Sequence, residues 1–160
     1  MQSKKIYKSP IGFIILEAVD GWVTGIFMLD DKEVDSHIES ENDNENSMVI
    51  NECIKQIDEY FDGKRKNFDF KFKNSGTEFR QKVWDELQRI PYGTTLSYKD
   101  LAVLVNNPKA VRAVGGANHN NNLSIVVPCH RVIGADGSLT GYAGGLWRKK
   151  WLLEHEKRHY

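Results

Sequence analysis

The chain has 160 residues, with 22 Lys+Arg against 22 Asp+Glu and so no formal net charge. That length suffices for one domain or two small ones, and no apolar run reaches the roughly 18 residues of a membrane span. Its two cysteines, Cys53 and Cys129, lie far apart and form no metal-ligand cluster, which fits a reducing, cytoplasmic setting. The start, Met-Gln-Ser-Lys-Lys, runs straight into a strand-like segment, so no signal peptide is expected. Charge is segregated: residues 1–75 hold 10 Lys+Arg against 15 Asp+Glu, and residues 76–160 hold 12 against 7. A basic second half with an anionic partner and a chance segregation of surface charge both fit that split.

Lys5–Val19 and Trp22–Leu29 are rich in Ile, Val, Phe and Trp, and Asp20-Gly21 between them is a hairpin signal. Asp30–Asn46 is acidic and Asn-rich, and reads as a solvated, mobile loop. Val49 or Ile50, Cys53 or Ile54, Ile57, and Tyr60 or Phe61 then recur at helical spacing, with Gly63 as the stop. Cys53 falls on that apolar face and reads as core. Phe68, Phe70 and Phe72 alternate with charged residues, as in a half-buried strand. The first 75 residues therefore predict a three-stranded antiparallel sheet covered by one helix, with nothing arranged for chemistry.

From Thr77, a good N-cap, Phe79, Val83, Leu87 and Ile90 make a helical stripe that Pro91 ends. Trp84 reads as packing against the other half rather than stacking on a base. Ser97 and Asp100 resemble a capping box for a helix through Val105. Asn107 then reads as an N-cap and Pro108 as the first position of a helix over 109–118. Two short helices joined by about three residues make a helix-turn-helix. On the second, Ala110, Ala113 and Ala117 share a face around Gly115-Gly116, beside Lys109 and Arg112. Such small residues suit either tight helix packing or a narrow groove in a duplex, and the two cations favour DNA. The fold class is α+β: residues 1–75 as a sheet-and-helix domain, residues 76–160 as a mostly helical domain.

The polar turn Asn118–Asn122 delivers the chain to an apolar run, Ser124–Val127, that stops at Pro128-Cys129-His130-Arg131-Val132. A thiol attacks only as thiolate, and a histidine can draw off its proton near neutral pH. Neighbours on a regular strand face opposite ways. His130 therefore serves Cys129 only if the chain leaves strand geometry at Pro128 or a water links the two. The alternative is a buried strand-end Cys beside a capping His. A loop with five glycines, Gly134–Gly145, follows and carries Tyr142, which suits a pocket wall. The last helix, Leu146–Glu156, is expected to bury Leu146, Trp147, Leu152 and Leu153. Glu156, one turn beyond Leu152, either points inward to orient His130 or lies exposed at a frayed end.

These residues resemble the O6-alkylguanine-DNA alkyltransferases. The match rests on Pro128–Val132, Asn121, Tyr142, Gly144-Gly145-Leu146 and His155-Glu156, with Tyr92-Gly93, Ser97-Tyr98, Asn107-Pro108 and Arg112–Gly116 upstream. The resemblance implies direct-reversal repair. O6-alkylguanine, with O4-alkylthymine left open, is flipped from duplex DNA, and its alkyl group moves irreversibly to Cys129, once per molecule. His130, through a water and held by Glu156, takes the proton; Asn121 braces the turn and Tyr98 hydrogen-bonds the base. Arg112 fills the gap left by the flipped nucleotide. Lys109, Ala110, Ala113, Gly115, Ala117, Tyr98 and Arg131 are expected to contact DNA through the minor groove. Val132, Tyr142, Ala143 and the Cys129 backbone are expected to hold the guanine edge. A monomer without metal or organic cofactor is implied; the Cys/His set that some relatives use for zinc is lacking. A Cys-His hydrolase would need a separated, directly bonded base, and a transcriptional regulator would carry base-reading side chains rather than alanines.

Overall fold

The computed structural model describes residues 2–36, 39 and 44–160. It forms two compact units, Met1–Asn74 and Ser75–Tyr160.

In the first unit, β1 (Gln2–Ser9), β2 (Gly12–Val19) and β3 (Trp22–Leu29) form an antiparallel sheet in the order β1-β2-β3. The expected Lys5–Val19 run thus folds into two strands, because Pro10 cannot donate to a ladder and Gly12 takes φ 99°. Asp20 and Gly21 both adopt positive φ, 51° and 80°, and close the β2–β3 hairpin as expected. The strand expected at Phe68–Phe72 is not a member of this sheet. It reduces to one parallel bridge, Val23 to Phe72, and its phenylalanines pack edge to face.

Part of the expected acidic loop is ordered as a 3-10 turn at Asp31–Ser36, and helix α1 (Asn44–Phe61) begins earlier than its apolar stripe. Residues 37, 38 and 40–43 of that loop lie outside the described residues. Ile50, Cys53, Ile57 and Tyr60 form the buried face of α1, which packs on all three strands. Gly63, at φ 75°, ends it: Lys64 N–H reaches back to the Glu59 carbonyl at 2.9 Å and Gly63 N–H to that of Tyr60. Cys53 is core, and burial pushes its thiol far up.

The second unit holds α2 (Glu78–Leu87), β4 (Leu96–Ser97), α3 (Tyr98–Leu104), α4 (Val111–His119), β5 (Val132–Ile133) and α5 (Leu146–Arg158). Thr77 and Ser97 cap α2 and α3 as predicted, accepting from the Arg80 and Asp100 amides at 3.2 and 3.0 Å. The start of α4 differs from expectation. Pro108 sits second in a turn closed by the Ala110 amide on the Asn107 carbonyl at 2.9 Å, so the helix begins at Val111 without a side-chain cap. Six residues rather than three therefore join α3 to α4, and Lys109 and Ala110 lie in the connection. The helices still pack on each other.

Trp84 is fully buried, and its Nε1 donates to the Ala117 carbonyl at 2.9 Å, within its own unit. That carbonyl belongs to the last turn of α4, where helical partners run out. The indole thus satisfies an otherwise orphaned acceptor while fixing α2 against α4. Gly76 lies beneath the same ring, where a Cβ would come within 2.4 Å of Cη2.

Two apolar expectations fail on α5. Leu146 and Trp147 are exposed, and the inward face is Arg148, Lys149, Leu152, His155 and Glu156. Gly145 enters the helix at φ 92°, turning its first residues outward, and the Arg148 guanidinium covers the Trp147 ring at 4.7 Å.

The indole bond predicts that Trp84→Phe, which keeps the ring packing but strands the Ala117 carbonyl, destabilises the second unit by about 1–3 kcal/mol. The urea midpoint of that unit's unfolding measures it.

Candidate active site

The run before the cysteine is not a strand. Val126 N–H bonds the Ser124 carbonyl at 2.8 Å, forcing buried Ile125 to φ 73°, a strained value for a β-branched residue. Cys129 N–H repeats this three-residue turn on the Val127 carbonyl, also at 2.8 Å, about Pro128. Cys129–Arg131 then make one 3-10 turn. The chain has thus left strand geometry at Pro128, the condition under which neighbouring Cys129 and His130 can serve one site. Strain of this kind persists only when the surroundings over-determine it.

Asn121 supplies part of that determination. Its buried side chain donates to the Val127 and Leu123 carbonyls at 2.8 and 3.3 Å and accepts from the Leu123 amide at 3.1 Å. One amide therefore spans the turn. A residue not predicted, Asn118, is buried as well, and its Nδ2 donates to the Cys129 carbonyl at 3.2 Å.

Glu156 takes the inward of the two orientations the sequence allowed, and it is fully buried. Its Oε2 lies 2.6 Å from His130 Nε2 and accepts from Arg131 Nη2 at 3.1 Å. Oε1 accepts from Arg131 Nε at 2.8 Å and from the Gly93 amide at 3.2 Å. Both oxygens are thus doubly bonded. Burial alone pushes this carboxyl up, but His130 and Arg131 outweigh it and hold it well below the usual carboxylate range. Burial lowers the His130 pKa against the pull of Glu156, so the imidazole rests neutral. An ionised acceptor at Nε2 assigns the proton there. Nδ1, which is buried without a partner, is then the bare basic nitrogen.

The Cys129 thiol is 5 % exposed, and burial raises its pKa, opposed by the Asn121 amide and the Lys149 ammonium. Beside it, β4 and β5 pair in parallel, Leu96 with Val132 and Ser97 with Ile133, which sets Tyr98 at the start of α3 near the chain leaving Cys129. Tyr98 Oη donates to the Thr140 carbonyl in the glycine-rich loop at 3.0 Å. Val132 and Tyr142 are buried and Ala143 is exposed.

Two predicted DNA contacts are corrected. Arg131 is 6 % exposed and spends its guanidinium on Glu156 and, through Nη1, on the Ile90 carbonyl at 2.7 Å, so it is an internal tie. A buried carboxylate needs a cation, and the planar fork of arginine fits it. Ala117 is 3 % exposed and faces the core with Val114 and Asn118. The expected stripe of alanines is therefore divided: Arg112, Ala113 and Gly116 make the outer face, and Gly115 sits over the Tyr98 ring.

Sequence reasoning missed Lys149 and Asn118. The inward direction of Glu156 was available from its spacing of four to Leu152, and a step of three upstream from Leu152, on the same face, reaches Lys149. Asn118 gave no comparable signal, since a polar residue in an Asn-rich turn normally faces water.

The carboxylate network predicts acid sensitivity of a stated sign. The Glu156 pKa is depressed in the folded protein, so its stabilisation is complete above the unfolded value of about 4.3 and is lost as pH falls below it. His130, also depressed, adds loss in the same direction below about pH 6.5. Glu156→Gln leaves Arg131 buried without its anion, should cost about 3–5 kcal/mol at neutral pH, and should flatten the limb of stability below about pH 4.3, measured by urea unfolding from about pH 2 to 7.

Residues 78–158 match the family model of the 6-O-methylguanine DNA methyltransferase DNA binding domain, and residues 3–73 that of its ribonuclease-like domain. A methylated-DNA–protein-cysteine methyltransferase of Methanosarcina barkeri is 45 % identical over 155 residues, covering 96 % of each chain. The constitutive enzyme of Bacillus subtilis is 43 % identical, covering 96 % of this chain and 94 % of its own. The crystal structure of Mycobacterium tuberculosis O6-methylguanine methyltransferase superposes with a TM-score of 0.86 at 39 % identity, over all of this chain and 95 % of that one. That of Mycobacterium tuberculosis OGT in complex with DNA gives 0.85 at 41 % identity, over 98 % and 93 %. With both halves matched and the cysteine, histidine and carboxylate gathered in one buried site, the chain belongs to the 6-O-methylguanine DNA methyltransferase family.

Proposed function

We propose that the protein reverses alkylation damage by moving the alkyl group of O6-alkylguanine in duplex DNA onto Cys129. The observation that carries this reading is the buried His130–Glu156–Arg131 network beside Cys129, which leaves one imidazole nitrogen bare and basic. Relatives by name transfer methyl groups from DNA to a protein cysteine, and a similar enzyme has been crystallised with DNA.

The Cys129 proton passes to His130 Nδ1, by way of a water, and Glu156 stabilises the imidazolium that forms. Sγ attacks the alkyl carbon in line, the S–C bond forms as the C–O6 bond breaks, and the guanine departs. Tyr98 exchanges the Thr140 carbonyl for the base and offers its hydroxyl proton, so that the purine leaves neutral. Asn121 keeps the strained turn in place. Val132, Tyr142, Ala143 and the Cys129 backbone hold the guanine edge. A thioether carbon is not hydrolysed by this machinery, so each molecule acts once.

The sulfur cannot reach O6 inside a base stack, so the nucleotide must leave the duplex, at a cost of a few kcal/mol that damage lowers. The outer face of α4 suits the minor groove: Ala113 and Gly116 keep it low, and a Cβ on Gly116 would meet nothing inside the protein. Glycine there costs helix stability, about 1 kcal/mol relative to alanine, with no return in packing, which favours close approach from outside. Arg112, exposed on that face, fills the gap. Helices α3 and α4 together act as a helix-turn-helix, with Lys109 in their connection toward phosphate. Gly115 acts from behind, seating Tyr98. We place the protein in the cytoplasm as a monomer needing no cofactor or metal; no helix among the described residues is long and apolar enough to cross a membrane.

Incubation with O6-methylguanine duplex should add one methyl mass to the peptide holding Cys129 and stop at one equivalent; unmodified Cys129 or continued turnover would overturn the reading. Arg112→Ala should slow repair of duplex DNA by about tenfold or more, if the side chain returns 1–2 kcal/mol of unstacking. Transfer from a free O6-alkylguanine base should stay near wild type, as single-turnover rates on the two substrates would show.

A further inference from the structure

Lys149 is fully buried, in the first turns of α5, and no ion pair holds it among the described residues. Its Nζ donates instead to two main-chain carbonyls, Val132 and Thr140, the latter at 2.9 Å, and lies 5.6 Å from the centre of the Tyr98 ring. Burying an ammonium is expensive, and desolvation pushes its pKa down to about 8. Helix packing alone is met more cheaply by leucine or methionine.

The two carbonyls explain the placement. Val132 opens β5, three residues after Cys129, and Thr140 lies midway along the glycine-rich loop. Lys149 therefore ties that loop to the strand leaving the nucleophile. The Thr140 carbonyl also accepts the Tyr98 hydroxyl, so two donors share one loop acceptor. Besides local turns, Gly134 to Ser138 at 2.8 Å and Gly145 to the Tyr142 carbonyl at 3.0 Å, the loop is held at its end by Arg148 Nη1 on the Gly144 carbonyl at 2.9 Å. Positive φ at Gly137, Gly141 and Gly145 leaves it little stiffness of its own.

We propose that Lys149 is a positioning residue for base capture: its ammonium clasps the Thr140 carbonyl to the Val132 carbonyl and so keeps Tyr142 and Ala143 over Cys129. This rests on the alkyl-transfer reading above. When Tyr98 turns to an incoming base, the ammonium is the donor that stays on Thr140. The loop then keeps its place through the exchange of partners.

The test is Lys149→Met, close in length and without donors, in single-turnover transfer from free O6-benzylguanine at a series of concentrations. Loss of a charge-assisted clasp should raise the half-saturating concentration about tenfold; the lost ammonium also moves the pH profile of Cys129 alkylation by iodoacetamide upward, so capture is compared at equal thiolate fraction. Lys149→Arg, whose fork can span two carbonyls, should recover part of the capture. Unchanged half-saturation at equal thiolate fraction would overturn the clasp. If Lys149→Met fails to fold, Lys149→Gln is used with backbone hydrogen exchange. Exchange across residues 138–144 should rise while that of α2 holds, and equal loop protection overturns the proposal. Wild-type protein that transfers nothing to Cys129 counts against the function itself; transfer by both proteins with equal capture counts against the clasp alone.

Discussion

The second unit is arranged about one buried carboxylate. Glu156 is an anion fully buried from solvent, and both its oxygens are filled by donors from separate stretches of chain: Gly93 after α2, His130 and Arg131 after the nucleophile. Each donor fixes a segment. Arg131 continues through the Ile90 carbonyl, so the end of α2, the 3-10 turn and the last helix are tied at one point. Removing the anion would leave a guanidinium buried without compensation, a cost of the same order as truncating a large core side chain.

The same carboxylate determines what the site can do. An ionised acceptor at Nε2 fixes the imidazole tautomer, and burial keeps the ring neutral, so the basic lone pair is on the remaining nitrogen. Burial pushes the Cys129 thiol the other way, up, and so disfavours the thiolate. A buried thiol held away from the thiolate form meets fewer passing electrophiles than an exposed thiolate would. The geometry thus favours selectivity over raw reactivity.

Around this core the chain uses backbone strain and small residues where packing would have used bulk. Ile125 is held at positive φ by the turns before Pro128, and Asn121 is the brace. The outer face of α4 presents Ala113 and Gly116, while Val114 and Ala117 turn inward, where the Ala117 carbonyl accepts from the indole of Trp84. One helix therefore serves two surfaces, and its shortness of side chain on one side is independent of its packing on the other.

Much of this was legible in the residues. Hydrophobic periodicity and turn chemistry located α1, α2 and α3, the Asp20-Gly21 hairpin and both side-chain caps, because those depend on neighbours a few positions away. The adjacency of Cys129 and His130, and the inward orientation as one of two open to Glu156, were visible for the same reason. Tertiary structure alone decided where cations and small residues went. Arg131 reads as a surface arginine until its long-range partner Glu156 is in place, and Ala117 reads as groove-facing until Trp84 claims its carbonyl. Phe68–Phe72 has strand alternation, yet the sheet closes with β1 instead because Pro10 lets the first apolar run fold back. Lys149 could be placed by helical spacing, but the Thr140 carbonyl that gives it a task lies on a loop whose path no local pattern encodes. What the sequence determined was the set of groups and their local geometry; which distant partner each group meets depends on desolvation and on hydrogen bonds between segments that only folding brings together.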